Sequence, residues 1–213
     1  MEISVKNVNP AQHRSGCIVV GIFERRKMSD AAKLLDTAAN GYLGTILKQG
    51  DMDGKAGQTL MLMNVPGVAS PRVLLVGCGK EKELNQKQFN TVLASATNVL
   101  NDSGTKDATS FLTDLPVQDC NSAWRVRRAA ELSYQTLYRF EQTKSKIEKQ
   151  DYPLSKLLLN VAEAKTLKTA QLALQIGKAI ARGSNVAREL GNLPGNICTP
   201  SYLADQAKKN AKD

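Results

Sequence analysis

The densest group of basic side chains in the sequence follows Trp124, where Arg125, Arg127 and Arg128 stand close together. Arginine guanidinium groups bind phosphate oxygens through paired hydrogen bonds, so such clusters are typical of phosphate and nucleic-acid contacts. Arginines also serve solubility and intersubunit pairs on ordinary helix surfaces. These three residues are therefore the candidate DNA or phosphate contacts, and a second basic group is formed by Arg25, Arg26 and Lys27.

A glycine turn, Gly77-Cys78-Gly79, follows the apolar run Arg72 to Val76. It matches the first half of a dinucleotide-binding fingerprint, in which glycines let backbone N–H groups approach a pyrophosphate at a helix start. The third glycine position is Lys82, and the charged residues 80–83 surround it. Two interpretations stay open, a plain tight turn and a phosphate-binding turn.

The residue types that carry hydrolytic chemistry are sparse. His13 is the sole histidine and lies in a polar stretch, so we expect neither a histidine-based metal cluster nor a Ser-His-Asp triad. Asp51 and Asp53 lie in a glycine-rich loop but lack the other ligands of a calcium loop. We therefore predict no catalytic residue and no metal site in this sequence.

The composition, 42% hydrophobic and 23% charged, is that of an ordinary globular protein. No apolar run approaches the roughly 20 residues that cross a bilayer, and the first residues lack a signal-peptide pattern. The four cysteines lie far apart without a C-x-x-C pair, which favours reduced thiols. We expect a cytoplasmic protein with no membrane partner and no cofactor of its own.

The formal charge of +9 is concentrated in the second half of the sequence. Residues 1–120 carry 13 basic and 12 acidic side chains, whereas residues 121–213 carry 16 and 8. A basic excess of this kind is found in proteins that bind nucleic acid or another acidic partner, and also on solvated surfaces. DNA is therefore a candidate partner of the second half.

Short apolar runs alternate with amphipathic segments along the first 165 residues. Such alternation predicts an α/β fold with a mixed sheet flanked by helices on both faces. The predicted strands are 2–6, 17–22, 58–64, 72–76, 110–113 and 156–161. The first predicted helix begins at Ser29 and has a break at Asn40-Gly41. A second predicted helix includes Phe89 to Leu100, and a third spans Trp124 to Phe140.

A long helix is predicted from about Leu167 to Leu190, and Thr199-Pro200 opens another that runs to about Lys212. Because this last helix has no predicted packing partner, we expect the chain to be the first part of a longer protein. The residues Gly183, Ser184 and Ala187 are small enough to let another backbone approach closely, and dense packing is the alternative interpretation. The predicted inner face of the long helix comprises Leu172, Ile176, Ala179, Ile180, Gly183, Ala187 and Leu190.

The segment Ala187 to Gln206 resembles the junction that leads into the catalytic domain of the M17 leucyl aminopeptidases. Its signature is a helix, an Asn-x-Pro-x-Asn loop and a Thr-Pro helix start. Further segments are similar to the N-terminal domain of bacterial members: Val73 to Asn85, Val99 to Gly104, Phe111 to Leu115 and Gln135 to Phe140.

The resemblance implies an organisation in three parts. Residues 1–165 form an α/β domain related in fold to macro domains, 166–191 form a connecting helix, and 192–213 begin a catalytic domain. The full-length parent is expected to be a hexameric aminopeptidase with two divalent metal ions, manganese or zinc, bound by residues beyond this chain. Since none of those ligands can be assigned here, this part is expected to be non-catalytic, with its own C-terminal catalytic domain as partner.

Two other functions are compatible with the same resemblance. Some bacterial members bind DNA as accessory or regulatory factors, which directs attention to Arg125, Arg127 and Arg128. A macro-type ADP-ribose binder is the remaining alternative, and it depends on fold analogy and on Gly77-Cys78-Gly79.

Overall fold

The computed structural model of the protein describes residues 1–146 and 153–211. Its centre is a mixed sheet of seven strands, and the predicted α/β class is confirmed. The strands are β1 (Glu2–Lys6), β2 (Ile18–Phe23), β3 (Lys27–Met28), β4 (Thr59–Met63), β5 (Arg72–Gly77), β6 (Asp107–Ser110) and β7 (Lys156–Asn160). Their order is β1-β7-β6-β2-β5-β4, with β3 beside β2. Strands β1, β7, β6, β2 and β5 run parallel, whereas β4 and β3 are antiparallel to their neighbours.

Helices cover both faces of this sheet. They are α1 (Asp30–Ala38), α2 (Tyr42–Gln49), α3 (Gln86–Asp102), α4 (Ser122–Thr136), α5 (Leu167–Asn192) and α6 (Pro200–Asn210). Strand β2 alternates between the two cores, since Ile18, Val20 and Ile22 pack with α1 and α2, whereas Val19 and Phe23 pack on the side of α3, α4 and α5. The apolar run of β2 is therefore buried on both faces, as its sequence predicted.

Local sequence signals set several helix ends. Ser29 caps α1 by accepting a hydrogen bond from the Ala32 N–H, and Thr199 caps α6 in the same way before Pro200. The predicted break between α1 and α2 is confirmed. Asn40 and Gly41 there adopt positive φ angles of 51° and 83°.

The prediction of a strand over 110–113 is wrong. Strand β6 covers Asp107–Ser110, and a 3-10 turn occupies Leu112–Asp114. The strand begins at a polar residue because Asp107 is held there by hydrogen bonds. Its Oδ2 accepts from the Gly16 N–H at 2.8 Å and from the Ser15 hydroxyl at 3.0 Å. The apolar residues 111 and 112 that suggested a strand follow it instead.

The predicted inner face of the long helix is also wrong. The residues of α5 that the fold buries are Ala170, Ala173, Leu174, Gly177 and Ala181. The larger apolar residues Leu172, Ile176 and Ile180 are exposed, by 62%, 44% and 42%. The close approach of α4 explains this difference, because a Cβ on Gly177 of α5 would lie only 2.5 Å from the Arg127 carbonyl oxygen of α4. In the ranges 1–146 and 153–211, no helix combines the length and the apolar character needed to cross a bilayer.

Candidate functional site

The guanidinium group of Arg125 is directed into the protein. Its Nε donates a hydrogen bond to the Thr113 carbonyl at 2.7 Å, and its Nη1 donates to the Cys120 carbonyl at 2.9 Å. Burial lowers the pKa of Arg125, and the charge of Asp114 opposes that effect. Arg125 therefore fixes the loop between β6 and α4.

Arg127 and Arg128 flank the buried carboxylate of Glu131. Arg128 donates from Nη1 to Glu131 Oε2 at 2.9 Å and from Nε to Asn90 Oδ1 at 2.8 Å, which joins α4 to α3. Arg127 Nε lies 3.4 Å from Glu131 Oε1, without the geometry of a hydrogen bond. The three arginines thus serve internal contacts, and their contact with DNA stays a prediction.

Two members of the second basic group, Arg26 and Lys27, are paired with carboxylates. Arg26 lies 3.6 Å from Asp53 through Nη2 and donates to the Lys48 carbonyl, and Lys27 forms an ion pair with Glu81. These pairs are largely exposed, so each contributes little to stability. They still place opposite charge beside the cations and reduce their attraction for phosphate.

The backbone donors of the glycine turn are occupied. Gly77 N–H donates to the Gln58 carbonyl, Cys78 N–H to the Ile22 carbonyl, and Gly79 N–H to the Gly54 carbonyl. A Cβ on Gly77 would lie 2.0 Å from the Lys55 carbonyl oxygen. A glycine is required at this position because the loop that contains Lys55 packs directly against it. A phosphate at this turn would have to displace internal hydrogen bonds.

A crevice of about 330 Å³ opens where the parallel strands end. After β2 the chain forms β4 and β5 on one side of β2. It then returns to form β6 on the other side of β2, which makes this edge a topological switch point. In open α/β sheets, ligands bind outside the carboxyl ends of the strands at such a point. Apolar walls come from Phe23, Phe111, Leu115 and Leu34, and the last of these is 51% exposed.

The polar lining of the crevice is acidic. Its carboxylates belong to Asp30, Glu81 and Asp114, and no lysine or arginine is among its lining residues in the described part of the chain. Asp114 Oδ2 accepts a hydrogen bond from Asn160 Nδ2 at 2.7 Å, and Asn160 Oδ1 accepts from the Val8 N–H at 2.9 Å. Burial raises the pKa of Asp114, while the Asn160 hydrogen bond and the Arg125 charge oppose that rise.

Sequence reasoning missed this crevice. Its residues come from six separate segments of the chain, and most of them lie at or just beyond the end of a strand or near the start of α1. A usable signal was the placement of polar side chains at the ends of strands, as at Asn7 after the predicted strand 2–6 and Asn160 near the end of the predicted strand 156–161.

The chain matches a known family over most of its sheet and helices. Residues 19–147 match the N-terminal domain of the cytosol aminopeptidase family. This chain belongs to the cytosol aminopeptidase family. Among its relatives, the probable cytosol aminopeptidase of Idiomarina loihiensis is 48% identical over 208 residues, which cover 98% of this chain and 42% of the relative. That of Thioalkalivibrio sulfidiphilus is 46% identical over 207 residues, with 97% and 42% covered.

Solved structures share the fold of this cytosol aminopeptidase domain. A mutant of the tomato leucine aminopeptidase has a TM-score of 0.73 at 23% identity, with 100% of this chain and 42% of that chain covered. The bottromycin maturation enzyme BotP in complex with Mn has a TM-score of 0.68 at 19% identity, with 93% and 36% covered. The present chain thus spans about two fifths of the length of the curated relatives that it matches.

The BotP structure was solved in complex with Mn, which raises the question of a metal site in this cytosol aminopeptidase chain. Over residues 1–146 and 153–211, no three His, Cys, Asp or Glu side chains are grouped as a metal ion requires. His13 lies in a loop beside β1, β6 and β7, apart from the crevice. The described residues therefore do not fit a metal ion.

Proposed function

We propose that this chain is the non-catalytic N-terminal domain of a metal-dependent leucyl aminopeptidase. The observation that carries the proposal is the match of residues 19–147 to the family's N-terminal domain, together with relatives that extend well beyond this chain. The peptide-cleaving site, with two divalent ions of manganese or zinc, belongs to the part of the longer protein that follows. There, paired metals would polarise the peptide carbonyl and activate water.

The domain's own contribution is to hold that catalytic part and to support assembly. The exposed ridge of α5, formed by Leu172, Ile176 and Ile180, is the surface best suited to this role. Its residues recur every four positions and so line one side of the helix. Apolar side chains of this size gain stability when a partner covers them.

We assign the catalytic domain of the same polypeptide as the partner that covers this ridge. The matched region makes up 42% of each curated relative, so more than half of each relative lies outside it. Homohexamer formation and a cytoplasmic location complete the proposal. The names of the curated relatives support the location, and hexamer formation is proposed by analogy with the family.

A chimera tests the catalytic part of this proposal. The 213 residues are joined to the sequence that follows the matched region in the Idiomarina loihiensis relative. We expect release of leucine from leucine amide that depends on added manganese or zinc, and none from the 213 residues alone. A chimera that folds and binds metal but releases no leucine would show that the proposal is wrong.

The ridge is tested in the same chimera by Leu172→Glu with Ile176→Glu. The matched control is Gln171→Glu with Gln175→Glu, which adds the same charges to neighbouring exposed positions. The ridge variant should lose activity and run at lower mass in light scattering, whereas the control should not. In the 213-residue chain both pairs should change the free energy of unfolding by less than about 0.5 kcal/mol per site. Equal behaviour of the two chimeras would contradict docking at the ridge.

DNA binding is the second candidate function. It is supported by the basic excess of residues 121–213 and by Arg127, whose Nε has no hydrogen-bond acceptor in the described structure. Each phosphate contact steepens the fall of affinity with salt by about 0.9 in logarithmic slope.

The DNA test compares Arg127→Gln with Arg128→Gln against the exposed control pair Lys165→Gln with Lys208→Gln. Retention of a DNA duplex is measured over a salt series, and thermal melting monitors the fold. A shallower dependence of DNA affinity on salt in the arginine variant, but not in the lysine control, supports DNA contact at α4. Unchanged retention in a folded arginine variant would remove these residues from the DNA surface. An ADP-ribose site of macro type has less support, because the turn at Gly77 to Gly79 has no free backbone donors.

A further inference from the structure

The crevice at the carboxyl edge of the sheet has the dimensions and composition of a small-molecule site. Its volume of about 330 Å³ lies within the range of ligand pockets, roughly 300–1,000 Å³. It combines aromatic and aliphatic walls from Phe23, Phe111 and Leu34 with a few polar groups that converge on the same space. The function proposed above does not use this crevice.

The charge of the lining selects the class of ligand. Asp30, Glu81 and Asp114 contribute carboxylates, and the cations that neutralise the first two lie outside the lining. Lys33 pairs with Asp30 at 2.8 Å and Lys27 pairs with Glu81, and both lysine side chains are more than half exposed. Such exposed pairs are weak and exchange readily with solvent. A diphosphate or a carboxylate would therefore meet negative charge on the walls.

Asp114 is the carboxylate of the lining that has hydrogen-bond partners but no ion-pair partner among the described residues. Its half-buried carboxylate accepts hydrogen bonds from Asn160 Nδ2 and from the Ala162 backbone, and none of the ion pairs found among residues 1–146 and 153–211 includes it. The nearest guanidinium, that of Arg125, is committed to the carbonyls of Thr113 and Cys120. A positively charged donor in the crevice would supply the charge partner that the fold itself does not.

The start of α1 does not reverse this preference. The first turn of a helix attracts negative charge, and Asp30 already stands there with a fully exposed carboxylate. The cap position is filled as well, since Ser29 accepts the Ala32 N–H. The positive end of the helix dipole is thus already balanced by the Asp30 carboxylate of the protein itself.

We propose that this crevice binds a primary ammonium group attached to a small apolar body. The hydrocarbon part lies against Phe23, Phe111 and Leu34, and the ammonium group donates hydrogen bonds toward Asp114. Two sources share this chemistry, a free amine and the N-terminal residue of an apolar peptide. The proposal concerns binding to this chain alone, so its failure would leave the proposed aminopeptidase function untouched.

The test is an NMR titration of the 213-residue chain with three ligands of one shape. Phenethylammonium is the cation, 2-phenylethanol the neutral analogue and 3-phenylpropionate the anion. We expect the ammonium to bind roughly tenfold more tightly than the alcohol, because a charge-assisted hydrogen bond is about twice as strong as a neutral one. The largest amide shifts should fall at Val8, Ala31 and Leu115. Equal or tighter binding of the anion would overturn the proposal.

A blocking variant and its control locate the site. Ala162 lines the crevice and is exposed, so Ala162→Trp fills the space without disturbing the core, whereas Ala164→Trp places the same side chain two residues further on. Phenethylammonium shifts should vanish in the first variant and persist in the second. Shifts that survive Ala162→Trp would show that the amine binds elsewhere, which contradicts the proposal.

The charge requirement and the ligand source are tested separately. Asp114→Asn keeps an acceptor for Asn160 and should abolish the preference for the ammonium over the alcohol, and an unchanged preference would contradict the role of Asp114. Phenylalaninamide and phenylalanylglycine are compared with phenethylammonium to distinguish the sources. Tighter binding of the two peptide-like ligands identifies a peptide N-terminus, and tighter binding of phenethylammonium identifies a free amine.

Discussion

The carbonyl oxygen of Arg127 in α4 lies only 2.5 Å from the position that a Cβ on Gly177 of α5 would occupy. The same Cβ would lie 3.0 Å from the Cβ of Ala130. The two helices therefore touch through their backbones at this point, and the contact anchors α5 to the domain. The exposed ridge of α5 is held in place by this contact on its opposite side.

Replacing Gly177 by alanine should destabilise the domain. In an exposed helix interior, alanine would be more stable than glycine by about 0.5–1 kcal/mol. Here the added methyl group meets backbone that can move only with the whole helix, and overpacking of this kind costs about 1–3 kcal/mol. We expect Gly177→Ala to lower the free energy of unfolding by about 1–2 kcal/mol in urea denaturation.

The matched control for that change is Gly183→Ala on the same helix. Apart from the neighbouring backbone of α5 itself, no atom of the described residues lies within 4 Å of a Cβ at Gly183. The control should therefore gain about 0.5–1 kcal/mol, as helix propensity alone dictates. If both variants gained stability, the close contact of α4 and α5 would be refuted.

The ion cluster around Glu131 gives a second prediction. Its side chain is only 7% exposed and lies beside Arg127 and Arg128, which are 38% and 26% exposed. Removing one partner of a buried ion pair lowers the free energy of unfolding by about 3–5 kcal/mol. Because the two arginines are partly exposed to solvent, the loss is smaller here, and Glu131→Gln should cost about 1–3 kcal/mol. Thermal unfolding at neutral pH measures the loss. Glu163→Gln, at an exposed pair with Lys165, should change stability by less than about 0.5 kcal/mol, and equal effects would contradict the prediction.

Much of the sheet could be predicted because its strands are short apolar runs bounded by turn residues. Strand β1 was predicted at its observed limits, and β2 and β5 within one residue. Strand β6 was misplaced because its residues, Asp107 to Ser110, are mostly polar or small and depend on hydrogen bonds from the distant Ser15 and Gly16. Such tertiary contacts leave no periodic signal in the sequence.

The candidate site and the helix face were less accessible to sequence reasoning. Periodicity identified α5, but the larger apolar residues were assigned to its inner face. The packing of Gly177 against Arg127 places a different side of the helix inward, and the larger apolar residues are exposed. The crevice depends on the order of strands in the sheet, which places the loops after β1, β6 and β7 beside one another. The division at residues 165 and 191 stays a prediction.

The four thiols should differ sharply in reactivity. Burial raises the pKa of Cys17 and of Cys78 to about 12, whereas Cys120 and Cys198 are partly exposed. Only the thiolate reacts with iodoacetamide, so at mildly alkaline pH the two buried residues should react slower by a factor on the order of 10³. Mass spectrometry after timed alkylation should find label on Cys120 and Cys198 first, and on all four after unfolding. Early label on Cys78 in the folded protein would contradict its burial.

The buried carboxyl group of Asp114 should make stability depend on pH in a direction opposite to that of most acids. Burial raises its pKa above the ordinary value of 3.8, although the Asn160 hydrogen bond and the Arg125 charge lower it in part. The folded protein therefore holds this proton more tightly than the unfolded chain does. The resulting stability is complete below the ordinary pKa and is lost as the pH rises through the raised pKa.

Asp114→Asn removes that titration. The free energy of unfolding of the variant, relative to that of the unchanged chain, should therefore increase as the pH rises from about 3.5 to 7. Urea unfolding at several pH values, with the unchanged chain measured in parallel, gives the difference in free energy. Asp119→Asn is the control, because Asp119 is exposed in the same loop and its backbone φ of 54° suits asparagine as well as aspartate. Its curve should run parallel to that of the unchanged chain. An Asp114→Asn curve that also runs parallel would mean that this carboxyl group titrates alike in the folded and unfolded states, and the predicted pH dependence would be wrong.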